Sequence, residues 1–256
     1  MSARWGLERL KLATKATARH IGIDVMRRWP NTYNEDGLRT FHGHDFVNDP
    51  KFISAYDYAF NATKEDPTHH GPWRVHVALW AAQTALRREG DFVECGTARA
   101  FVSTAILKYT DWNVTKGNRK FFLVDTFEGF VPDLLGSEEK RMIDHHGARY
   151  RDNYPDALRN VSPFQDVHLI KGAVPEVLPQ IPAQKVAYLH LDMNSGQAEV
   201  AALEYLWPKI VLGGIVLLDD YSLAGYEPLR HAHDVLANKL GYAIASLPTG
   251  QGLIIK

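Results

Sequence analysis

Three aspartates stand directly after two apolar segments in the second half of the chain. Asp192 follows the run KVAYLHL, and Asp219 and Asp220 follow the run GGIVLL. Carboxylate oxygens gathered in one crevice are the ligands that hard cations such as Mg²⁺ prefer. One aspartate in such a place is more often a helix cap or the start of a turn. Three at matched positions favour a divalent metal site.

The segment between the two apolar runs has a helical pattern. It reads QAEVAALEYLWPKI, so the stretch from Lys185 to Tyr221 is predicted to form a strand, a helix and a second strand of a parallel sheet. In open α/β sheets, ligands bind where the carboxyl ends of the strands emerge. The three aspartates are therefore expected at the edge of the sheet that carries the chemistry.

An earlier strand, turn and helix are typical of the first unit of a nucleotide-binding sheet. The run DFVEC contains Glu94 and is followed by GTARAFVSTAILKY, with Gly96 in the turn. A glycine there lets the backbone approach a ligand, and the helix that follows offers unpaired N–H groups. Ala98 and Phe101 stand where a dinucleotide fingerprint has later glycines, so a nicotinamide-dependent oxidoreductase is the least favoured enzyme class. Cys95 is interpreted as a small buried apolar residue.

The next strand, KFFLVD, ends at Asp125. An acid at a strand end can accept hydrogen bonds from a ribose diol, although a helix cap is the alternative interpretation. The polar stretch that follows, about residues 131–162, is longer than an ordinary connection and is typical of a lid or a substrate wall. Its candidate substrate contacts are His145, His146, Arg149 and Tyr150.

The remaining patterns complete a mostly parallel sheet. A helix is predicted over residues 73–88, a third strand in DVHLIKG and a helix over residues 226–240. The chain then reads GYAIASLP, a TG turn and QGLIIK. Two strands joined by so short a turn must be antiparallel, so the sheet is predicted to finish with an antiparallel hairpin.

Composition excludes several classes of partner. The 256 residues are 45% hydrophobic, which is enough for one enlarged α/β domain. With 29 basic and 30 acidic residues, the chain has no general electrostatic footprint for nucleic acid. No apolar run is long enough to span a bilayer, no signal peptide opens the chain, and a single cysteine indicates a reducing compartment. A cytoplasmic location is expected.

Residues 1–70 are predicted to be an N-terminal extension of a main domain formed by residues 71–256. The extension is basic as far as Pro30, and its apolar stripe is poor. A solvated arm or a helix contacting another subunit is therefore favoured over a membrane-surface helix. His42 and His44 are interpreted as surface or substrate-side histidines, because no partners at zinc-like spacing follow them. The sequence leaves open whether the chain forms a homo-oligomer.

Four motifs together carry a resemblance to a known family. They are FVECGTARA, FFLVDTFEGF, IKGAVPEVLP and, above all, LHLDMN followed by ALEYLWPKIVLGGIVLLDDY. From about Trp73 to its end, the chain resembles the class I S-adenosylmethionine-dependent methyltransferases. Within that class it is similar to the macrocin, mycinamicin and novobiocin sugar O-methyltransferases.

The resemblance implies a Rossmann-like, mostly parallel seven-stranded sheet with helices on both faces and a C-terminal antiparallel hairpin. It also implies residues for S-adenosylmethionine: Glu94, Gly96, Thr97 and Arg99 for the methionine end, Asp125 and Thr126 for the ribose, Gly172 and Ala173 beside the adenine, and Asp192. The implied Mg²⁺ ligands are Asp192, Asp219 and Asp220.

One position departs from the family pattern. These enzymes usually read L-D-G-D, with the second aspartate proposed as general base, whereas this chain reads L-D-M-N and has Asn194 there. An amide can orient a hydroxyl group but cannot remove its proton. Activation by the metal together with a substitute base is therefore expected, and His145, His146 and Tyr221 are the candidates.

The leading hypothesis is a Mg²⁺-dependent O-methyltransferase that acts on a hydroxyl of a sugar or a glycosylated small molecule. A catechol-type O-methyltransferase acting on an aromatic diol is the second enzyme hypothesis. A non-catalytic module that binds S-adenosylmethionine is the third, and Asn194 is its only support.

Overall fold

The computed structural model describes residues 17–18, 20, 32–65, 70–143 and 150–256. Most of the basic arm lies outside the described residues, and so do His145, His146 and Arg149. The chain divides into two compact units, residues 1–34 with 39–44, and residues 35–38 with 45–256. The larger unit contains the main sheet.

The strands and helices have the following bounds. The strands are β1 (Tyr33–Glu35), β2 (Leu38–Thr40), β3 (Asp91–Cys95), β4 (Phe121–Asp125), β5 (Val167–Lys171), β6 (Val186–Leu191), β7 (Ile210–Leu218), β8 (Ala245–Ser246) and β9 (Gly252–Ile255). The α-helices are α1 (Pro50–Thr63), α2 (Pro72–Ala85), α3 (Phe101–Tyr109), α4 (Trp112–Thr115), α5 (Ser137–Ile143), α6 (Tyr154–Val161), α7 (Gly196–Leu206) and α8 (Glu227–Leu240). Short 3-10 turns cover Asp45–Asn48, Pro132–Leu134, Leu178–Gln180 and Trp207–Lys209.

The main sheet has seven strands in the order β5-β4-β3-β6-β7-β9-β8. Strands β5, β4, β3, β6 and β7 are parallel, and β9 runs antiparallel to both β7 and β8. This arrangement confirms the predicted mostly parallel seven-stranded sheet with its terminal antiparallel hairpin. Strands β1 and β2 form a separate two-stranded sheet.

Successive strand residues pack on opposite faces of the sheet, as the period of two residues in a strand requires. Phe92 of β3 belongs to a core formed with α1, α2 and α3. Its neighbour Val93 belongs to a second core formed with α7 and α8. Cys95 is fully buried in the second core, and burial raises the pKa of its thiol well above the ordinary value. The structure thus agrees with its interpretation as a small buried apolar residue.

Helix α1 lies within the larger unit, although it precedes the predicted domain boundary at residue 71. Phe52 and Ala59 are buried in the same core as Phe101 of α3. The ring of Phe60 lies 4.6 Å from that of Phe101. The compact unit therefore begins before residue 71, because α1 covers part of the first face of the sheet.

Candidate functional site

The register of the sheet brings three strand ends to one edge. Cys95 pairs with Leu191, and Leu191 pairs with Leu218. The amide of Asp192 donates to the Cys95 carbonyl at 2.9 Å, and the amide of Asp219 donates to the Leu191 carbonyl at 2.9 Å. The residues that follow β3, β6 and β7 thus stand side by side, as the sequence predicts for a ligand site at this edge.

A pocket of about 310 Å³ opens at this edge. Most of the residues predicted to hold the cofactor line it, namely Glu94, Gly96, Thr97, Arg99, Asp125, Thr126, Gly172 and Asp192. Ala173 is not among the described residues that line the pocket, although its neighbour Val174 is. Asp219, Asp220 and Asn194 line the same pocket. One cavity therefore contains both the cofactor-side residues and the carboxylates predicted to bind metal.

The turn between β3 and α3 forms a cradle in which a side chain has no room. A Cβ atom on Gly96 would lie 1.9 Å from the carbonyl oxygen of Asp192. Gly96 has a φ of 92°, and the backbone is left-handed again at Ala98 (46°) and at Ala100 (66°). Glycine normally takes this conformation, so two alanines here adopt the backbone shape of a ligand turn without the usual glycine signature. The turn lies beside the pocket-lining acids Glu94 and Asp125, which would be able to hold the polar groups of S-adenosylmethionine.

Replacing Ala98 with glycine should stabilise the chain. A residue with a Cβ is disfavoured in the left-handed region, so Ala98→Gly is expected to raise the free energy of unfolding by about 1 kcal/mol. Urea denaturation followed by circular dichroism measures the change. The matched control is Ala105→Gly in the interior of α3, which should lower stability. A loss of stability in both variants would contradict the strain inferred at Ala98.

Asp125 ties the cofactor-side turn to the end of β4. Its Oδ2 accepts from the amide of Ala98 at 2.8 Å, and its Oδ1 accepts from the amide of Phe127 at 2.6 Å. Burial raises the pKa of the Asp125 carboxyl, although these backbone hydrogen bonds oppose the rise. Asp125 therefore fixes two loops while it lines the pocket, and its contact with a ribose stays a prediction.

A buried histidine connects the two halves of the pocket wall. His190 Nδ1 lies 3.7 Å from Oε2 of Glu94, and its Nε2 lies 3.6 Å from Oδ1 of Asp219. Burial alone would lower the pKa of His190, but the carboxylates of Asp219 and Glu94 outweigh it and raise the pKa well above the ordinary value. Sequence reasoning missed His190, although its alternation with Asp192 along β6 points to it.

An arginine from α2 occupies the crevice between the carboxylates. Arg74 donates through Nη2 to Oδ2 of Asp219, to the Asp219 carbonyl at 2.8 Å and to Oδ1 of Asp220 at 2.9 Å. The Arg74 side chain is only 12% exposed. Burial would lower the pKa of Arg74, but Asp219 and Asp220 more than offset that effect and raise it.

The pKa values of the three carboxyl groups are shifted in different directions. Burial alone would raise the pKa of Asp219, but Arg74 and His190 lower it well below the ordinary value. Burial raises the pKa of Asp220 to about 6, against the opposing effect of Arg74. Burial and the neighbouring carboxylates raise the pKa of Asp192 well above the ordinary value. The cluster thus holds one firmly ionised carboxylate and two groups that bind protons more readily.

The arrangement does not fit the predicted Mg²⁺ site. Both oxygens of Asp219 already accept hydrogen bonds from protein donors, Oδ2 from Arg74 and Oδ1 from Gln251 Nε2 at 2.9 Å. Among the described residues, the cluster with metal-like spacing is His190, Asp192 and Asp219, which omits Asp220 and includes an imidazole. Mg²⁺ prefers oxygen ligands in octahedral geometry. The structure therefore does not confirm the magnesium prediction, and Arg74 occupies one of the oxygens that such an ion would need on Asp219.

Asn194 lines the pocket and is held by a tyrosine that sequence reasoning missed. Its Oδ1 accepts from the Tyr226 hydroxyl at 2.5 Å, and its Nδ2 donates to Asp192 Oδ1 at 3.4 Å. Tyr226 lines the pocket. The predicted Tyr221 does not line it among the described residues, because its hydroxyl donates to Asp234 Oδ1 at 2.5 Å. Tyr226 therefore replaces Tyr221 as the candidate tyrosine.

The predicted lid segment lines one wall of the pocket. Val131, Leu134, Leu135 and Tyr150 contribute to the lining. Ser195 Oγ donates to the Leu134 carbonyl at 2.6 Å, just before α7 begins. The predicted candidates His145 and His146 lie outside the described residues, so a role for either stays a prediction.

Glu139 fastens this segment to the start of α7. Its Oε1 accepts from the amide of Gly196 at 2.8 Å, and its Oε2 accepts from the amide of Gly136 at 2.7 Å. Glu139→Ala would leave these amides without their acceptor, so we expect a loss of about 1–3 kcal/mol in the free energy of unfolding. Urea denaturation measures it, with the exposed Glu176→Ala as control. Equal effects of the two substitutions would contradict a fastening role.

The sequence matches the family model described as Macrocin-O-methyltransferase (TylF) over residues 78–239. It is 24% identical over 178 residues to the Mycinamicin III 3''-O-methyltransferase of Micromonospora griseorubida, covering 64% of this chain and 68% of that protein. It is 25% identical over 165 residues to the Demethyldecarbamoylnovobiocin O-methyltransferase of Streptomyces niveus, covering 60% of each. The second match thus spans less than two thirds of that relative.

Solved structures share the fold at low sequence identity. The structure of the O-methyltransferase NovP covers 83% of this chain and 98% of its own, with a TM-score of 0.67 at 18% identity. An O-methyltransferase from Bacillus cereus, solved in complex with SAH, covers 81% of this chain and 91% of its own, with a TM-score of 0.51 at 11% identity. Within the described part of the chain, no helix combines the length and apolarity needed to cross a bilayer.

Proposed function

Because the chain belongs to the macrocin O-methyltransferase family, we propose that it transfers a methyl group from S-adenosylmethionine to a hydroxyl group of a sugar-containing small molecule. The named relatives are O-methyltransferases of mycinamicin and novobiocin precursors, which supports the sugar-containing acceptor.

The observation that carries the proposal is the contact between two segments that line the pocket. The turn at Gly96, which would hold the cofactor, lies against the segment from Asp192 to Asn194, which would hold the acceptor. The backbone of Gly96 approaches the Asp192 carbonyl so closely that a Cβ would lie 1.9 Å from the oxygen. A ligand on the Gly96 side and an acceptor beside Asn194 would therefore occupy neighbouring parts of one pocket. Such proximity is what a group transfer between two bound molecules requires.

When bound, S-adenosylmethionine supplies a methyl group on a positively charged sulfur, which is open to in-line displacement. The chain holds and aligns the two partners. Asp125 and the Gly96 turn would hold the cofactor, and the pocket walls between Leu134 and Tyr226 would exclude water from the acceptor. Correct alignment of reacting atoms lowers the barrier by several kcal/mol, up to about 7–11 kcal/mol in favourable cases.

The acceptor hydroxyl needs an orienting group and a proton acceptor. Tyr226 fixes the side-chain oxygen of Asn194, so the Asn194 amide is held in one orientation beside Asp192. Asn194 cannot remove the proton. Asp192 lines the pocket and accepts only the long hydrogen bond from Asn194 among the hydrogen bonds of the described residues, which makes Asp192 the carboxylate best placed to take it. The proposed reaction includes no magnesium step, because Arg74 already binds Asp219 and Asp220.

Calorimetry and a transfer assay test the proposal in two stages. The chain should bind S-adenosylmethionine and S-adenosylhomocysteine but not NAD. It should then transfer a labelled methyl group to a member of a panel of sugar nucleotides and glycosylated small molecules, with catechols as the competing class. Binding of NAD without S-adenosylmethionine would reject the cofactor assignment, and transfer to catechols alone would reject the sugar-containing acceptor.

A further inference from the structure

We propose that Arg74 is the resident cation of the carboxylate crevice and takes the place of a divalent metal ion in this chain. On this view the guanidinium neutralises Asp219 and Asp220 and offers an N–H group to the acceptor oxygen. The catalytic part of the inference rests on the proposed function, whereas the occupancy of the crevice by an arginine does not.

Arg74 contacts the carboxylates in the way that a bound cation would. One nitrogen, Nη2, reaches a carboxylate oxygen of Asp219, a carboxylate oxygen of Asp220 and a backbone carbonyl. These two aspartates end one strand and are the residues to which a metal ion was assigned from the sequence. Arg74 therefore supplies a positive charge at the point where a bridging cation would bind.

The C-terminal hairpin fixes the arginine in place. Gln251 donates through Nε2 to Oδ1 of Asp219 at 2.9 Å and lies 3.4 Å from the carbonyl of Arg74. The hydroxyl of Thr249 donates to Oε1 of Gln251 at 2.9 Å, so the amide of Gln251 is itself oriented. Gln251 and Thr249 are only 1% and 3% exposed. A buried relay of this kind holds the carboxylate and the backbone of the arginine together.

A divalent cation would have to compete with this arrangement. Asp219 presents both oxygens to protein donors, and a metal ion beside Asp220 would face the fixed positive charge of Arg74. Like charges in a buried site repel strongly, because little water screens them. The guanidinium keeps its charge throughout the physiological pH range and is covalently part of the chain, so its occupancy does not depend on metal concentration.

Arg74 also has donor capacity left for a substrate. Its side-chain hydrogen bonds to the described residues all use Nη2, and Nε lies 3.9 Å from Asp36 Oδ2, so Nη1 donates to no described residue. Arg74 is part of the pocket lining. A guanidinium N–H facing a hydroxyl oxygen favours the alkoxide that develops during deprotonation, which is the electrostatic service a metal ion provides.

Binding of Mn²⁺ to the cofactor-free chain tests the occupancy directly. Mn²⁺ shares the carboxylate and water preference of Mg²⁺, and electron paramagnetic resonance of the free ion counts what is bound. We expect no stoichiometric binding to the wild-type chain at millimolar Mn²⁺. Arg74→Met removes the charge and keeps much of the stem, so it should bind Mn²⁺ about tenfold more tightly or better. Adding Asp192→Asn to Arg74→Met should abolish that binding.

Arg159→Met on α6 is the matched control, since its side chain is 60% exposed and pairs with Asp156. It should leave Mn²⁺ binding at the wild-type level. One Mn²⁺ bound tightly per wild-type chain, with the same affinity in Arg74→Met, would overturn the proposal. The wild-type titration decides the matter alone if Arg74→Met does not fold, and Arg74→Lys then serves as the second variant. Failure to find an acceptor would reject the proposed function and leave the metal titration unaffected.

Discussion

A chain carrying Gly96→Ala should lose binding of S-adenosylmethionine and much of its stability. The added Cβ would lie 1.9 Å from the carbonyl oxygen of Asp192 and 2.4 Å from its carbonyl carbon. Both atoms belong to the backbone at the end of β6, so no side chain can turn aside to make room. We expect a loss of about 4 kcal/mol, from a backbone cost of about 1–3 kcal/mol and overpacking of about 1–3 kcal/mol.

Gly241→Ala is the control that separates the two costs. Gly241 has a φ of 75° at the end of α8, and nothing lies within 4 Å of the position of its Cβ. It should lose only about 1 kcal/mol, the usual effect of a Cβ in the left-handed region. Urea denaturation and calorimetry with S-adenosylmethionine measure both variants. Equal losses of stability in Gly96→Ala and Gly241→Ala, with cofactor affinity retained in Gly96→Ala, would show that the close approach of Gly96 to Asp192 is not needed for binding.

Asp219→Ala should be the second most damaging substitution, because several buried groups depend on this carboxylate. Arg74 donates to Oδ2, Gln251 donates to Oδ1, and His190 lies 3.6 Å away. Removing one partner of a buried ionic network leaves the others without compensation, which typically costs about 3–5 kcal/mol. Methyl transfer should also fall sharply, since Arg74 would no longer be held in the crevice.

Glu89→Ala gives the matched measurement on an exposed ion pair. Glu89 pairs with Lys185 at 2.8 Å, and their side chains are 83% and 62% exposed. Water already solvates such a pair, so its loss should leave the free energy of unfolding nearly unchanged. Asp219→Asn keeps the size of the side chain, so its loss of stability should lie between those of Asp219→Ala and Glu89→Ala. A loss in Asp219→Ala no greater than in Glu89→Ala would show that the buried network adds no stability.

The architecture and the edge that carries the site follow from local sequence patterns. Apolar runs ending in Asp192 and Asp219 define neighbouring parallel strands, and the register of the sheet aligns their ends. One glycine in the sequence predicts the turn at Gly96. No local pattern predicts the left-handed conformation of the two alanines after it. Their conformation is accompanied by the hydrogen bond from Ala98 to Asp125, which lies on the next strand and is invisible to a local pattern.

The charges within the crevice could not be predicted in the same way. Arg74 is separated from Asp219 by 145 residues and sits in a helix whose pattern predicts only packing against the sheet. Tyr221 is a candidate from the sequence because it follows the aspartates directly, whereas Tyr226 is placed in the pocket by the short loop before α8. Local spacing identifies which groups end a strand. It does not identify which distant side chain neutralises them.

The span between Arg74 and Asp219 also has a consequence for how the chain folds. Before α2 docks, the ends of β6 and β7 bring Asp192, Asp219 and Asp220 together with His190 but without Arg74, and like charges at adjacent positions repel. Pairing of β6 with β7 is therefore favoured when α2 is already in place, although closing a contact over 145 residues is slow for entropic reasons. We therefore expect β6 and β7 to pair late in folding. Salt that screens the carboxylates should make this pairing faster.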